Sequence, residues 1–507
     1  MSSREAAIPA ICGVAAFSVS YMATKAVLFA CGHGMPTGNI YYLPSPNSVI
    51  GSLLGAIAVL FTAPAGTLQR MGLVNGKGRM MVFRSLLDYR GMVFDPRDLH
   101  YCLMERPTVF IKGERYRLLR VVLGSGLVTL EDEAVHTVQR KAISPSFSAM
   151  TIRKLADSIF SRHFAKMAAA WRQHAQPAIS SEGKAIPSDP LDLQEPLDHT
   201  TLAIVGEAAF RTDKLEVVEH LLRATRIKLT PLMILPASVF KWLPSEMKRT
   251  AIRTRKALSH ELEQVVAIVR AEGPPSTDDQ VKSLIDAMAF STVLSSQDLL
   301  DNAVTFVFAG HDTTSTALNW TLYYLSQNPS VQTKVFEELS SCFHLETVPS
   351  LTDVEQSCPY LHNVILESLR VQPPVFHVIR VATQDEYLPS GVFVPKGTQL
   401  FLSVYGVHRL PQLWGPDADV FRPERWSENP EALHQRLGPC GFMPFIVGKR
   451  NCIGKEFALA ELHLALAMVL RRVEVRWPEG QATPSLRTGP VVRSAEPFKL
   501  LLVRRPN

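Results

Sequence analysis

The chain has 507 residues, 46% of them hydrophobic and 20% charged, which places it among ordered globular proteins and excludes a disordered or fibrous one. Its formal net charge of +6 is mild and dispersed, suits an anionic membrane surface or an acidic protein partner, and argues for no nucleic acid. The cysteines (Cys12, Cys31, Cys102, Cys342, Cys358, Cys440 and Cys452) are odd in number, scattered and without metal-finger spacing, so a disulfide framework or zinc site is excluded and a reducing compartment is expected.

Residues 6–24 carry no charge, and apolar sequence continues past Lys25 to Cys31. About 20 apolar residues span a bilayer core. The expectation is a retained membrane anchor in residues 1–35, with residues 36–507 as one large domain. A cleaved signal peptide is the competing reading, but it lacks a basic leading region because Glu5 offsets Arg4. A second apolar run, residues 49–63, is short for a span and reads as interfacial or buried.

Residues 131–144 read as a short helix closed by Pro145. Residues 151–173 are amphipathic, with Ile152, Leu155, Ile159, Phe160 and Phe164 at helical spacing. Residues 197–210 are a further helix. Residues 174–195 and 271–280 are expected to be flexible surface. Residues 229–243 are apolar, broken by Pro231 and Pro236 and flanked by basic residues; they fit either a membrane-dipping segment or ordinary core. Residues 296–328 give the clearest long helix, opened by a capping box of Ser295 and Asp298 and stopped by Pro329. Residues 361–371 form a helix after Pro359. Residues 392–404 read as a hairpin around Pro395-Lys396-Gly397, and residues 410–440 show little periodicity. Residues 457–470 are a mostly apolar helix. The fold class is mainly α with small β-sheets (α+β), not a doubly wound sheet.

Three stretches carry chemistry. In the middle of the long helix stands Ala309-Gly310-His311-Asp312-Thr313-Thr314. Glycine costs about 1 kcal/mol in a helix interior, so something flat or bulky comes close to Gly310, or the helix opens there. Thr313 can bond back to a carbonyl one turn earlier; a kink beside a solvated Asp312 is the other reading of these residues. Next, Glu367 and Arg370 lie three apart on one helix face, with Arg425 in the later run Phe421-Arg422-Pro423-Glu424-Arg425-Trp426. Last comes Phe445-Ile446-Val447-Gly448-Lys449-Arg450-Asn451-Cys452-Ile453-Gly454, a glycine-rich loop running straight into a helix. Backbone amides and the positive helix end are expected to lower the pKa of the Cys452 thiol. A thiolate so held is a strong axial ligand for haem iron. A structural free cysteine is the plainer alternative.

Phe445, Gly448, Arg450, Cys452 and Gly454 together resemble the haem-binding loop of the cytochrome P450 family. The glycine, acid and alcohol of the long helix resemble its oxygen-binding signature, and the motifs stand in the family's order from about Pro44 to the end. The resemblance implies the family's fold, a single catalytic domain with haem b between the long oxygen-side helix and the cysteine-loop helix. Cys452 is then the iron ligand. Thr313 hydrogen-bonds bound oxygen and Asp312 relays protons. Glu367, Arg370 and Arg425 form a buried triad. His136, Arg140, Arg380 and Arg450 hold the haem propionates; His136 departs from the tryptophan most members carry there. Leu43-Pro44-Ser45-Pro46 loosely matches the hinge of membrane-anchored members, which face the cytosol from the endoplasmic reticulum. The implied activity is a monooxygenase using O2 and NADPH-derived electrons from a reductase flavoprotein, with Arg140, Lys141, Lys449 and Lys455 near the docking face. By position, residues 103–128 with Phe306, Phe308, Val375, Phe376 and His377 line the substrate pocket. An apolar substrate is expected: a terpenoid or polyketide of secondary metabolism, as in fungi, or a fatty acid. An O2-independent isomerase or dehydratase would have lost the acid–alcohol pair, and a non-catalytic haem protein would not need it.

Overall fold

Short apolar segments far apart in the chain gather into one six-stranded sheet, and most of the remainder coils into helices. The structure is a computed structural model that describes residues 40–42, 80–85, 88–113, 116, 119–120, 123–175, 189–211, 246–274, 282–487 and 489–505. The apolar runs at residues 6–31, 49–63 and 229–243 lie outside these. Among the described residues no helix is long and apolar enough to cross a membrane.

The sheet comprises β1 (Ile40–Tyr42), β2 (Met80–Ser85), β3 (Asp88–Val93), β4 (Phe110–Ile111), β5 (His377–Ala382) and β6 (Gln399–Ser403), in the order β1-β2-β3-β6-β5-β4. β3 pairs in parallel with β6 through Arg90↔Gln399 to Val93↔Leu402, and β5 pairs antiparallel with β6. The hairpin expected at residues 392–404 therefore does not form. The turn is there, with Gly397 at φ 84°, but the strand before it, Phe393–Val394, pairs with Glu386–Tyr387 while β6 joins the large sheet. A turn signal fixes a reversal of the chain; it does not choose the partner strand.

Six helices position the site: α1 (Glu133–Ile143), α2 (Gln194–Phe210), α3 (Ser296–Gln327), α4 (Pro329–Cys342), α5 (Pro359–Val371) and α6 (Lys455–Leu470). The α3 capping box is formed as read, with Ser295 and Asp298 each accepting from the other's backbone amide. Pro329 both stops α3 and starts α4, because its missing N–H does no harm at a first helical position. The 27-residue helix Glu246–Glu272 and the helix Pro430–Gly441 were not legible; the latter is kinked at Gly438, φ 53°. The 174–195 stretch is structured at its C-terminal end, where Leu191–Asp192 pairs with Lys499–Leu500 and α2 begins. Likewise, Glu246–Glu272 runs into the 271–280 stretch.

Among the described residues, two hydrophobic cores flank the site. The larger is helical and contains α3 and nearly all of α6, which is apolar on every side and accordingly buried on every side. The smaller lies on the large sheet. At Gly310 α3 stays helical, and an added Cβ would come within 2.9 Å of Val205 Cγ2. The missing side chain therefore admits α2, with Thr201 donating to the His311 carbonyl at 3.2 Å.

Candidate functional site

The cysteine loop is gripped by both cores. Phe445 and Ile453 pack on the helical core, while Ile446 and Val447 pack on the sheet core. Ile446 has φ 59°, a costly conformation for a β-branched residue. Gly448 has φ 78°, and a Cβ there would stand 2.5 Å from the Leu103 carbonyl oxygen, so no side chain fits. The loop closes through the Cys452 amide donating to Phe445 O at 2.9 Å and the Asn451 amide donating to Gly448 O at 3.0 Å. Gly454 then caps α6.

Arg140, on α1, donates to Asn451 O at 2.7 Å and to Asn451 Oδ1 at 2.5 Å. α1 is itself held on α3 by Gln139, which donates to Asp298 at 2.7 Å and accepts from Asn302 at 3.1 Å. The Cys452 thiol is shifted up, opposite to the direction read from the sequence. Burial of the sulfur outweighs the Gly454 amide and the Arg140 charge, both of which favour the thiolate. The residue as a whole is nevertheless exposed.

Beside the loop is a cavity lined in part by Lys112, Glu133, Arg380, Lys449 and Arg450. Arg450 donates to Glu133 Oε2 at 2.9 Å and to the Leu130 carbonyl at 2.9 Å. Arg380, on β5, is 5% exposed and donates to the Ile379 carbonyl at 2.9 Å. Lys112 donates to the carbonyls of Val128 at 2.8 Å and Leu127 at 3.1 Å. Burial first, then Arg450 and Arg380, push the Lys112 ammonium well down. His136 is buried and pushed down to about 3 by burial and by Arg450, Lys112 and Arg140; at neutral pH it offers one N–H and no charge. Lys112, Arg380, Lys449 and Arg450 line the cavity against two carboxylates, Glu131 and Glu133, the latter bonded to Arg450, so positive groups are in excess. A ligand that carries two carboxylates fits it.

On α3 the Thr313 hydroxyl donates to Ala309 O at 2.7 Å. Asp312 is not simply solvated. Arg493, from the hairpin pair Leu486–Arg487 and Arg493–Ser494, donates to Asp312 Oδ1 through Nε at 2.7 Å. The same guanidinium grips both oxygens of Asp198 on α2, at 2.8 and 2.9 Å. Asp198 also accepts from Ser315 at 2.6 Å and Gln194 at 2.8 Å. Burial alone would raise Asp198, but Arg493 brings it below its ordinary value. Glu461, on α6, is fully buried. Neither of its oxygens finds a well-formed hydrogen bond among the described residues. Burial holds its carboxyl well above the usual range, with the Thr314 hydroxyl pulling only weakly the other way.

Glu367, Arg370 and Arg425 come together. Glu367 accepts from Arg370 at 2.8 and 2.9 Å, from Arg425 at 2.9 Å and from the Trp426 indole at 3.0 Å. Arg370 also donates to the carbonyls of His408, Ala418 and Val420, tying α5 to the segment that leads to the cysteine loop.

The residues read as pocket-lining differ in burial. Phe306 is turned into the core, edge-on to Phe147 with ring centres 5.0 Å apart, and Phe308 is half-buried. Phe376 is buried 4.2 Å from the Tyr405 ring; Val375 and His377 are half-buried, His377 standing edge-on to Phe401. Arg493, Asp198, Lys112 and Glu461 escaped the sequence reading. Only Glu461 had a local signal, as an acid inside the apolar run 457–470.

A cytochrome P450 family model matches residues 95–502. Among the relatives, "Cytochrome P450 monooxygenase 205" of Postia placenta is 30% identical over 91% of this chain and 90% of its own length. "Cytochrome P450 monooxygenase claO" of Ampulloclitocybe clavipes is 29% identical over 78% of this chain and 79% of its own. Human "Cytochrome P450 4F3" is 31% identical over 71% of each. The solved "cytochrome P450DA heme domain" superposes with a TM-score of 0.73 at 21% identity, covering 92% of this chain and 98% of that one, a likeness of fold.

Proposed function

The chain belongs to the cytochrome P450 family and is a monooxygenase, and from that premise we propose that it binds haem b through the Cys452 thiolate and oxidises a hydrophobic small molecule with O2 and NADPH-derived electrons from a reductase flavoprotein. The observation that carries the reading is the cysteine loop pinned between two cores beside a cavity in which basic side chains outnumber acidic ones. Hydroxylation or epoxidation of a terpenoid, polyketide or fatty acid is the proposed chemistry. The half-buried Phe308, Val375 and His377 are the proposed substrate-side residues. A role in secondary metabolism is part of the proposal; the relatives' names support the monooxygenase class. Residues 1–35 are proposed as a membrane anchor at the endoplasmic reticulum, with residues 36–507 as the catalytic domain on the cytosolic side.

When bound, the haem supplies the redox chemistry with dioxygen. Around it the chain's own groups do the following. The Gly454 amide and Arg140 stabilise negative charge on the Cys452 sulfur. Arg380, Arg450 and neutral His136 would hold the propionates, with Arg140 adding its charge while gripping Asn451. Thr313 presents its hydroxyl on the oxygen side. Asp312 is held by Arg493, which ties the acid of this helix to the C-terminal hairpin.

The test is a carbon monoxide difference spectrum of dithionite-reduced protein, wild type beside Cys452→Ala. A strongly red-shifted Soret band, lost in the variant, is expected. A histidine-type band, or well-folded protein without haem, overturns the assignment.

A further inference from the structure

Away from the site, α4 ends against the start of α5. Glu338 and Cys342 are one turn apart on α4 and so share a face. The Glu338 carboxylate accepts from the first-turn amides of α5, Tyr360 at 2.8 Å and Leu361 at 2.9 Å, and thereby does the capping. Cys358 occupies the cap position of α5 without using its side chain there. Cys342 follows Glu338 onto the same spot. Its Sγ lies 3.5 Å from the carbonyl of Ser357, the chain neighbour of Cys358. Cys342 is exposed and Cys358 is buried. A peroxide can therefore reach the first thiol, while the second sits one residue beyond the carbonyl that Cys342 meets.

We infer that Cys342 and Cys358 form a redox-modification site, closed to an intrachain disulfide by hydrogen peroxide. The Cys342 thiolate attacks the O–O bond, forming a sulfenic acid and releasing hydroxide, which takes up the proton the thiol had lost. The Cys358 sulfur then attacks the sulfenic sulfur and the hydroxyl leaves as water. In sum, two thiols and one peroxide give one disulfide and two waters. Burial, Glu338 and Cys342 hold the Cys358 proton, with its pKa raised to about 12, so the second step is the slower one. The bond would staple α4 to the helix that carries Glu367 and Arg370. A disulfide of this kind in a reducing compartment is transient and reports on oxidant.

The experiment uses the full-length haem-loaded protein, titrated with hydrogen peroxide and alkylated with N-ethylmaleimide. No Lys or Arg separates Lys334 from Arg370, so trypsin releases both cysteines in one peptide, and cleavage after Glu346 and Glu355 then separates them unless they are bonded. The expected result is a peptide two hydrogens lighter, blocked to alkylation at both positions and restored by dithiothreitol. Dimedone should trap Cys342 before Cys358 is lost, and the thermal midpoint should rise by a few degrees on oxidation. Cys342→Ser, at an exposed position, should fold normally and show none of this. Overoxidation of Cys342 with Cys358 still alkylatable, pairing between chains, or two unreacted thiols would each overturn the proposal.

Discussion

Glu461 is the residue whose environment is furthest from what its chemistry wants. An acid prefers water, yet this one is enclosed in α6 with burial favouring its neutral form. In the unfolded chain the same group ionises near about 4.3. Below that pH both states are protonated and nothing is lost. Above it the unfolded state gains by releasing its proton and the folded state does not, so stability falls as pH rises until the folded group ionises too. Glu461→Gln removes this liability at nearly constant volume. It should be more stable than wild type by about 1–3 kcal/mol at pH 8, with the gap closing toward pH 5. Parallel melting-temperature profiles for the two proteins would show that no proton is stored there. Gly448 gives a second residue-scale case. Its positive φ and the Leu103 carbonyl at 2.5 Å both act against any Cβ. Gly448→Ala should therefore cost about 1–3 kcal/mol and lower haem content, measured as the haem Soret absorbance per unit of protein.

Between elements, buried charge decides what holds what. The C-terminal hairpin is tied to α2 and α3 by one guanidinium, Arg493, set against Asp198 and Asp312. Removing it leaves two partly buried carboxylates facing each other. Arg493→Met should cost roughly 3 kcal/mol, and adding Asp198→Asn should return a good part of that; strictly additive losses in thermal unfolding would refute a shared cluster. This clamp also shows where sequence reading stops. The α3 cap, the α5 start at Pro359 and the Glu367–Arg370 spacing are local, because partners three or four residues apart on a helix must meet. Arg493 is 181 residues from Asp312 and 295 from Asp198, and nothing near it in sequence marks it. The same holds for β3 and β6, whose strands pair across some 300 residues, and for the residues after Gly397, which leave the expected hairpin for a sheet built elsewhere. Where a motif lies on one element its geometry was legible. Where a site is closed by a remote element, only the fold supplies it.

Across the whole molecule, the modest net charge of +6 matters less than where the exposed cations fall. Arg140 spends both terminal guanidinium nitrogens on Asn451, so it braces the cysteine loop and is poorly placed to greet a partner. Lys141 and Lys455, one from each helix flanking that loop, are exposed. Val135 and Val138 are also exposed on α1, at 45% and 50%, which adds apolar area to the same helix. Exposed basic side chains beside the cysteine loop suit an acidic flavoprotein, and long-range attraction of that kind acts on encounter and is screened by salt over about 10 Å at 0.1 M. A solvated face with no partner would carry the same charges without that dependence. Reversing both charges, as Lys141→Glu with Lys455→Glu, should therefore raise the KM for reductase several-fold and flatten the salt dependence of NADPH-driven turnover. The carbon monoxide spectrum and turnover driven by added peroxide should stay as in wild type, since neither lysine lines the cavity. Unchanged reductase kinetics in the double variant would move the docking face off this side of the protein.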